Sequence, residues 1–207
     1  ILSSIVLSCF ALSAQNGATE ISRTDNYSYY NDIWGYTAAN GDEYAIIGTD
    51  SGTVFYDVSV PSAPSFVKFI NGPNSTWRDM KTLGNYCYIV TEGGGGMQIV
   101  DLSNPNNPAL LSTWGTSLFS HAHNIAIDEG ASIAYILDAD PGTIVVDLSN
   151  PTSPQHIATY TGPHVHDAHI QNGKAHFAEI HDGNYRIVDV GNLPNFTTVD
   201  VVNTPGD

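Results

Sequence analysis

The chain has 207 residues and a formal net charge of −15, from 6 Lys+Arg against 21 Asp+Glu. Proteins that bind nucleic acids need clustered cations to displace the counterions of the phosphates, so this charge balance excludes that class. Charged residues make up 13% and hydrophobic residues 42% of the sequence, which excludes disorder driven by high charge and predicts a folded chain.

The N-terminal segment predicts export. Residues 1–14 are an apolar run ending in small residues, which is typical of a secretory signal peptide cleaved after Ala14. Lipidation at Cys9 is the alternative for this segment. The run is too short to span a bilayer, so we expect no transmembrane segment. Because no Met or charged residue precedes the run, we expect the sequence to be truncated at its N-terminus, with residues 15–28 as a linker.

One motif is repeated along the rest of the chain. An Asp-x-Ser-x-Pro pattern, with a second Pro three residues later, occurs at Asp57–Pro64, Asp101–Pro108 and Asp147–Pro154, and a decayed copy begins at Asp189. The Asp residues are about 40–50 positions apart, which is the length of one four-stranded propeller blade. An Asp that accepts hydrogen bonds from the following backbone is the structural explanation of this motif, with calcium binding as the alternative.

Each repeat contains four short β-prone runs separated by turn residues. The sequence therefore predicts an all-β fold, a β-propeller of four-stranded antiparallel blades. Four blades are expected, at residues 29–70, 76–114, 121–160 and 164–203. Because propellers normally close into a ring, and a fifth blade should begin where the sequence stops, we expect these four blades to be a fragment of a larger ring.

These motifs resemble those of a known family. The Val-Asp-Leu-Ser-Asn-Pro blade ends, together with Trp77-Arg78-Asp79 and the two His-containing blade starts, resemble the LVIVD-repeat propellers of the choice-of-anchor B family. The resemblance implies an exported bacterial protein, extracellular or at the cell surface, with its anchor in a missing C-terminal part. It supplies no catalytic residues, because the family has no accepted active site.

Candidate metal ligands come from the blade starts. Two His-x-His pairs open consecutive blades, and residues i and i+2 of a strand point the same way, so we expect the pairs to approach each other at the propeller axis. Imidazole and carboxylate groups together suit a divalent transition metal such as zinc, copper, iron or manganese. The alternative is a structural ring of hydrogen bonds between blades. The candidate metal ligands are His121, His123, His164, His166, Glu179 and His181.

Further candidates for ligand binding lie at the same end of the predicted blades: Asp32, Trp77, Arg78, Asp79, Glu92, Asn124 and Asp167. Aromatic residues there would stack on sugars, or instead wedge between blades. The first functional hypothesis is a binding module for an extracellular protein, a glycan or a small ligand. The second is a metal-dependent hydrolase or oxidoreductase that uses the two His pairs as ligands and Glu179 or Asp167 as the base. Fold does not choose between them.

Overall fold

The computed structural model describes residues 19–204, and the segment predicted as a signal peptide lies outside them. The described residues form β-strands and no α-helix. The strands are β1 (Tyr30–Thr37), β2 (Glu43–Thr49), β3 (Gly52–Asp57), β4 (Ser65–Asn71), β5 (Arg78–Leu83), β6 (Tyr86–Thr91), β7 (Met97–Asp101), β8 (Ala109–Trp114), β9 (Asn124–Asp128), β10 (Ile133–Ala139), β11 (Gly142–Asp147), β12 (Gln155–Tyr160), β13 (Asp167–Gln171), β14 (Lys174–Glu179), β15 (Asn184–Asp189) and β16 (Thr197–Asn203).

Successive groups of four strands form four antiparallel sheets, each a meander in chain order. The all-β prediction with four-stranded antiparallel blades is therefore confirmed. We number the sheets blades 1 to 4. The first strands of successive blades, β1, β5, β9 and β13, contact one another in that order and so lie on the inside. Among the described residues, β1 pairs with β2 alone and β16 pairs with β15 alone. The total number of blades stays a prediction.

Apolar layers between blades stabilise the array. The layer between blades 2 and 3 contains Val90, Ile99, Ile125, Ile136 and Ile144, each no more than 1% exposed. Similar clusters join blades 1 and 2 and blades 3 and 4. The β-branched residues that predicted strands are thus the same residues that bury apolar area between sheets, the main favourable term in folding.

The repeated Asp motif is a turn device. Backbone N–H groups of Ser59, Ser103, Ser149 and Gly191 donate to the carboxylate of the Asp two residues earlier, at 2.7–2.9 Å. These bonds fix the chain as it leaves the third strand of each blade. They support the structural explanation of the motif. These turns lie at the end of the blades opposite to the His-containing blade starts.

Two further findings bear on the sequence expectations. No helix among residues 19–204 is long and apolar enough to cross a membrane. Cys87 is a free thiol, fully buried in the layer between blades 1 and 2, where burial raises its pKa above the ordinary range. Its burial, with no disulfide partner in the described part of the chain, gives it a packing role.

Candidate functional site

The first residues of the inner strands hold neighbouring blades together. The side chain of Asp79 is buried, and its Oδ1 accepts hydrogen bonds from Met80 N (2.7 Å) and Lys81 Nζ (2.6 Å). Its Oδ2 accepts a bond from Ile125 N in blade 3, at 2.8 Å. Burial raises the pKa of Asp79 to about 7, although the ammonium group of Lys81 acts in the opposite direction. Asp79 is therefore a connection between blades 2 and 3.

Amide side chains make the equivalent connections at the other two junctions. Asn31 Nδ2 donates to the carbonyl of Thr76 in blade 2 at 2.8 Å, and Asn124 Nδ2 donates to the carbonyl of His166 at the start of blade 4 at 3.0 Å. Asn31, Asp79 and Asn124 thus form hydrogen bonds between successive blades, as in the structural alternative to a metal site. Asp32 and Asp167 are exposed and accept bonds from the residue that follows them.

Arg78 also connects blades. It is 1% exposed, and its Nε and Nη2 donate to the carbonyls of Thr49 in blade 1 (3.2 Å) and of Pro73 in the connection between blades 1 and 2 (2.5 Å). Burial lowers the pKa of Arg78 to about 10. Nε and Nη2 are thus bonded to backbone carbonyls, whereas Nη1 is buried with no partner among the described residues, so Arg78 contributes mainly to the walls of the site.

In front of this ring lies a group of histidines and carboxylates, which we call the axial cluster: Glu92, His123, Asp138, His164, His166 and His181. His123 Nδ1 is 2.5 Å from Glu92 Oε1, and the His123 ring lies against that of His166, with centroids 4.4 Å apart. Burial, together with the nearby His123, lowers the pKa of His166. A lowered pKa favours the neutral imidazole, which is the form that binds metals.

The second half of the axial cluster surrounds His164. Its Nε2 is 2.6 Å from Asp138 Oδ1, and its ring lies 4.4 Å from that of His181. The other ring nitrogen, Nδ1, is buried and has no hydrogen-bond partner among the described residues. Asp138 stands where β10 ends, with a positive φ of 49° that turns the chain toward β11. Carboxylates from the turns therefore meet histidines from the blade starts.

His121 departs from the expectation. Its Nδ1 is 3.4 Å from Asp140 Oδ1, and the two side chains are 41% and 42% exposed. Hydrogen bonds from Ser120 to Asp140 hold the pKa of that carboxyl well below its usual range. His121 thus belongs to a separate exposed pair.

The two His-x-His pairs approach each other through His123 and His166, but the two histidines within each pair do not point the same way, for a structural reason. β9 begins at Asn124 and β13 begins at Asp167, so both pairs lie in the connections that precede the inner strands. Alternation with a period of two holds only for strands. In consequence His121 and His123 contact different carboxylates, and His164 and His166 contact different rings.

Glu179 has a different environment from the one expected of a metal ligand or a base. It is fully buried, and both carboxylate oxygens accept hydrogen bonds from Arg186 on the neighbouring strand, one from Nε and one from Nη2 (3.1 Å). The carboxylate raises the pKa of Arg186. A carboxylate held in this way is a structural ion pair, and both of its oxygens are already occupied by the guanidinium group.

A cleft of about 360 Å³ opens beside the axial cluster, lined by Asn31, Asp32, Trp77, Arg78, Asp79, His123 and Asn124. Trp77 is 47% exposed, and its ring lies 5.4 Å from that of His123. The other tryptophans are used in packing: Trp34 donates to Thr82 Oγ1 at 2.9 Å, and Trp114 packs against Phe119. Trp77 is thus the tryptophan available to a ligand.

Asp138 and Arg186 are more important to the site than the sequence indicated. Asp138 lies near the end of β10, directly after a run of apolar residues, and that position beside the turn was the signal that its side chain reaches the axial face. Arg186 lies two residues beyond Asn184, the register partner of Glu179 across the β14–β15 hairpin. This diagonal spacing was the available signal for the ion pair.

Comparison with known proteins agrees with the fold. The crystal structure of a putative 6-phosphogluconolactonase from Bacteroides uniformis ATCC 8492 is similar with a TM-score of 0.66 at 10% identity, over 83% of this chain and 55% of that one. A functionally unknown protein from Desulfotomaculum acetoxidans DSM 771 is similar with a TM-score of 0.61 at 14% identity, over 88% and 58%. The chain therefore spans little more than half the length of either structure, and at these identities the likeness shows the fold alone.

A search of curated proteins returned no match. The family model described as LVIVD repeat matches residues 77–116 and 121–162. These ranges coincide with blades 2 and 3, which supply Trp77, Asp79, Glu92, His123 and Asp138. The site described above is therefore built mainly on two LVIVD repeats.

Proposed function

We propose that this chain is an exported binding module that recognises its ligand through the axial cleft. The observation that carries the proposal is the cleft itself, where an exposed Trp77 stands among the polar groups Asp32, Asn124 and His123. Its volume of about 360 Å³ falls within the range of small-molecule sites, roughly 300–1,000 Å³. An aromatic ring with polar groups around it suits a sugar ring, a small polar ligand or a side chain of a protein partner.

The charge of the site narrows the ligand class. Asp32 and Glu92 are exposed and Asp138 is half-buried in the cleft and the axial cluster, whereas the nearby Arg78 is buried and donates to two backbone carbonyls. The chain as a whole carries a net charge of −15. Neutral or cationic ligands are favoured over anionic ones, because like charges repel at a site of this sign.

Export of the chain from the cell is the second part of this proposal. The apolar run of residues 1–14 and the likeness to choice-of-anchor B propellers support an extracellular or surface-attached bacterial protein. Fusion of residues 1–28, behind a start Met, to a phosphatase that is active only after export tests this part. Export with cleavage after Ala14 is expected, and retention of an uncleaved fusion would contradict it.

The experiment for the binding role is an array of neutral, amino and acidic glycans probed with the labelled chain. Trp77→Ala should abolish binding of the glycans that the unchanged chain retains. The matched control is Phe66→Ala, since Phe66 is another exposed aromatic side chain, 56% exposed, but lies on the outer strand β4. Equal binding by the Trp77→Ala variant would show that the cleft is not the recognition site.

A second candidate function is that of a metal-dependent hydrolase or oxidoreductase. The observation that favours it is the convergence of imidazole and carboxylate groups in the axial cluster. Of the two bases considered, Asp167 is exposed and Glu179 is held by Arg186, so the geometry favours Asp167. Turnover of chromogenic esters and phosphoesters with added Zn²⁺ or Mn²⁺, lost in Asp167→Asn, would support this function. Metal binding without turnover of any of these substrates would count against the enzyme and leave the binding module as the proposed function.

A further inference from the structure

Three ligand atoms of the axial cluster come close together without sharing a strand. Glu92 follows β6, His123 precedes β9 and Asp138 lies near the end of β10. One ligand atom from each lies within 4.8 Å of the other two. We propose that Glu92, His123 and Asp138 bind one divalent transition metal ion and that His164 positions Asp138 for it. This goes beyond the proposed binding function, because it does not depend on which ligand occupies the cleft, and it gives the second candidate function its metal ligands.

The distances permit an ion after small movements. Bonds from zinc to nitrogen or carboxylate oxygen are about 2.0–2.2 Å, so ligand atoms in a tetrahedral site are roughly 3.4 Å apart. The 2.5 Å contact between His123 Nδ1 and Glu92 Oε1 would have to lengthen by somewhat less than 1 Å, and the longer separations would have to shorten. The Glu92 side chain has room to change rotamer, since it is 37% exposed.

The donor set indicates the class of metal. One imidazole and two carboxylates suit Zn²⁺, Mn²⁺ or Fe²⁺, whereas Cu⁺ favours thiolate and thioether ligands. Cys87 is buried away from this face in the layer between blades 1 and 2. Three protein ligands leave a coordination position for water or for an atom of the bound ligand, as in open zinc sites.

The role of His164 follows from its hydrogen bonding. Its Nδ1 is buried without a partner among residues 19–204, while its Nε2 is 2.6 Å from Asp138 Oδ1. A neutral imidazole has a single N–H, and placing it on Nε2 lets it donate to the carboxylate and leaves no donor unsatisfied. Hydrogen bonds of this kind orient metal-binding carboxylates, and their loss costs about 10–100-fold in affinity.

This ligand set differs from the one that the sequence suggested. His121 contacts Asp140, Glu179 is paired with Arg186, and the His181 ring packs against His164. The two ligand sets can be distinguished, because they predict opposite effects on metal binding for the same substitution, such as His121→Ala.

The test is isothermal titration of the untagged full chain with Zn²⁺, with Co²⁺ absorption spectra as a second readout. We expect one equivalent of bound ion, and a loss of affinity of at least tenfold in Glu92→Gln, His123→Ala and Asp138→Asn. His164→Ala should weaken binding by about 10–100-fold while the Co²⁺ ligand-field bands keep their positions, because the ligands themselves remain. Asp138→Asn should move those bands.

The controls are His121→Ala and His156→Ala, which should bind Zn²⁺ like the unchanged chain, and far-UV circular dichroism should show an intact fold in every variant. Absence of Zn²⁺ binding, or binding that survives Glu92→Gln and Asp138→Asn, would overturn the inference. So would loss of binding in His121→Ala. In each of these cases glycan binding that depends on Trp77 would leave the proposed function standing.

Discussion

The ion pair between Glu179 and Arg186 decides whether Glu179 is structural or functional, and Arg186→Met tests this directly. Glu179 is 0% exposed and Arg186 has a side-chain exposure of 16%. Both carboxylate oxygens are bonded to the guanidinium group. Methionine keeps most of the length and apolar contact of the arginine but removes the charge and the donors.

The expected cost is large because the carboxylate would be left buried and unpaired. Removing one partner of a buried ion pair typically destabilises a protein by about 3–5 kcal/mol, since the remaining charge keeps its desolvation penalty without compensation. The destabilisation should shrink as the pH is lowered, because protonation of the unpaired carboxyl removes the buried charge. Glu179→Gln in the Arg186→Met background should recover at least half of the loss at pH 7, because an amide costs less to bury than a charge.

The assay is urea denaturation followed by far-UV circular dichroism at pH 7 and at pH 5. The matched control is Arg23→Met, because the Arg23–Glu20 pair is exposed, with side-chain exposures of 72% and 53%, and should contribute nothing measurable. If Arg186→Met lowers the free energy of unfolding by less than about 1 kcal/mol at pH 7, the pair contributes no more than an exposed ion pair does. Such a result would show that water reaches Glu179, and would restore this residue as a candidate base or ligand.

Three further predictions concern the scaffold. Ile136→Ala should lower the free energy of unfolding by about 2–5 kcal/mol in urea denaturation, because Ile136 is 0% exposed between blades 2 and 3. The control Val199→Ala, on the exposed strand β16, should change it by less than about 0.5 kcal/mol. Gly142→Ala should lower the melting temperature by at least about 2–4 °C. Gly142 has φ +115°, and a Cβ there would lie 2.3 Å from the carbonyl oxygen of Tyr160. An unchanged melting curve would contradict this prediction. Asp147 has a lowered pKa because Ser149 donates to it, so its stabilising effect should be present above its ordinary pKa of 3.8 and lost as the pH falls below it. Melting temperatures of Asp147→Ala and the unchanged chain should therefore differ at pH 7 and converge near pH 2, and a constant difference would exclude this linkage.

The repeated Asp motif was sufficient to predict the blades. Its spacing sets the length of a four-stranded unit, and the apolar runs around it are the strands that pack between sheets. Local sequence determined these features, because strand propensity, turn residues and the Asp hydrogen bonds all act within a few positions.

The candidate site was less predictable, because it depends on where connections place side chains. His123 and His166 come from different blades, and their ring contact requires the exact path of two connections outside the strands. The partner of Glu179 likewise depends on hairpin register. Composition indicated which chemical groups were present, whereas their pairing followed from tertiary structure.

Recognition in the cleft beside Trp77 is the proposal on which the binding role depends. Hydrogen–deuterium exchange of the chain, alone and with the strongest glycan from the array, measures this without any substitution. We expect slower exchange at residues 77–79 and 123–125, which line the cleft or directly adjoin it, with the outer strands β4, β8, β12 and β16 unchanged. Slower exchange confined to those outer strands would contradict it.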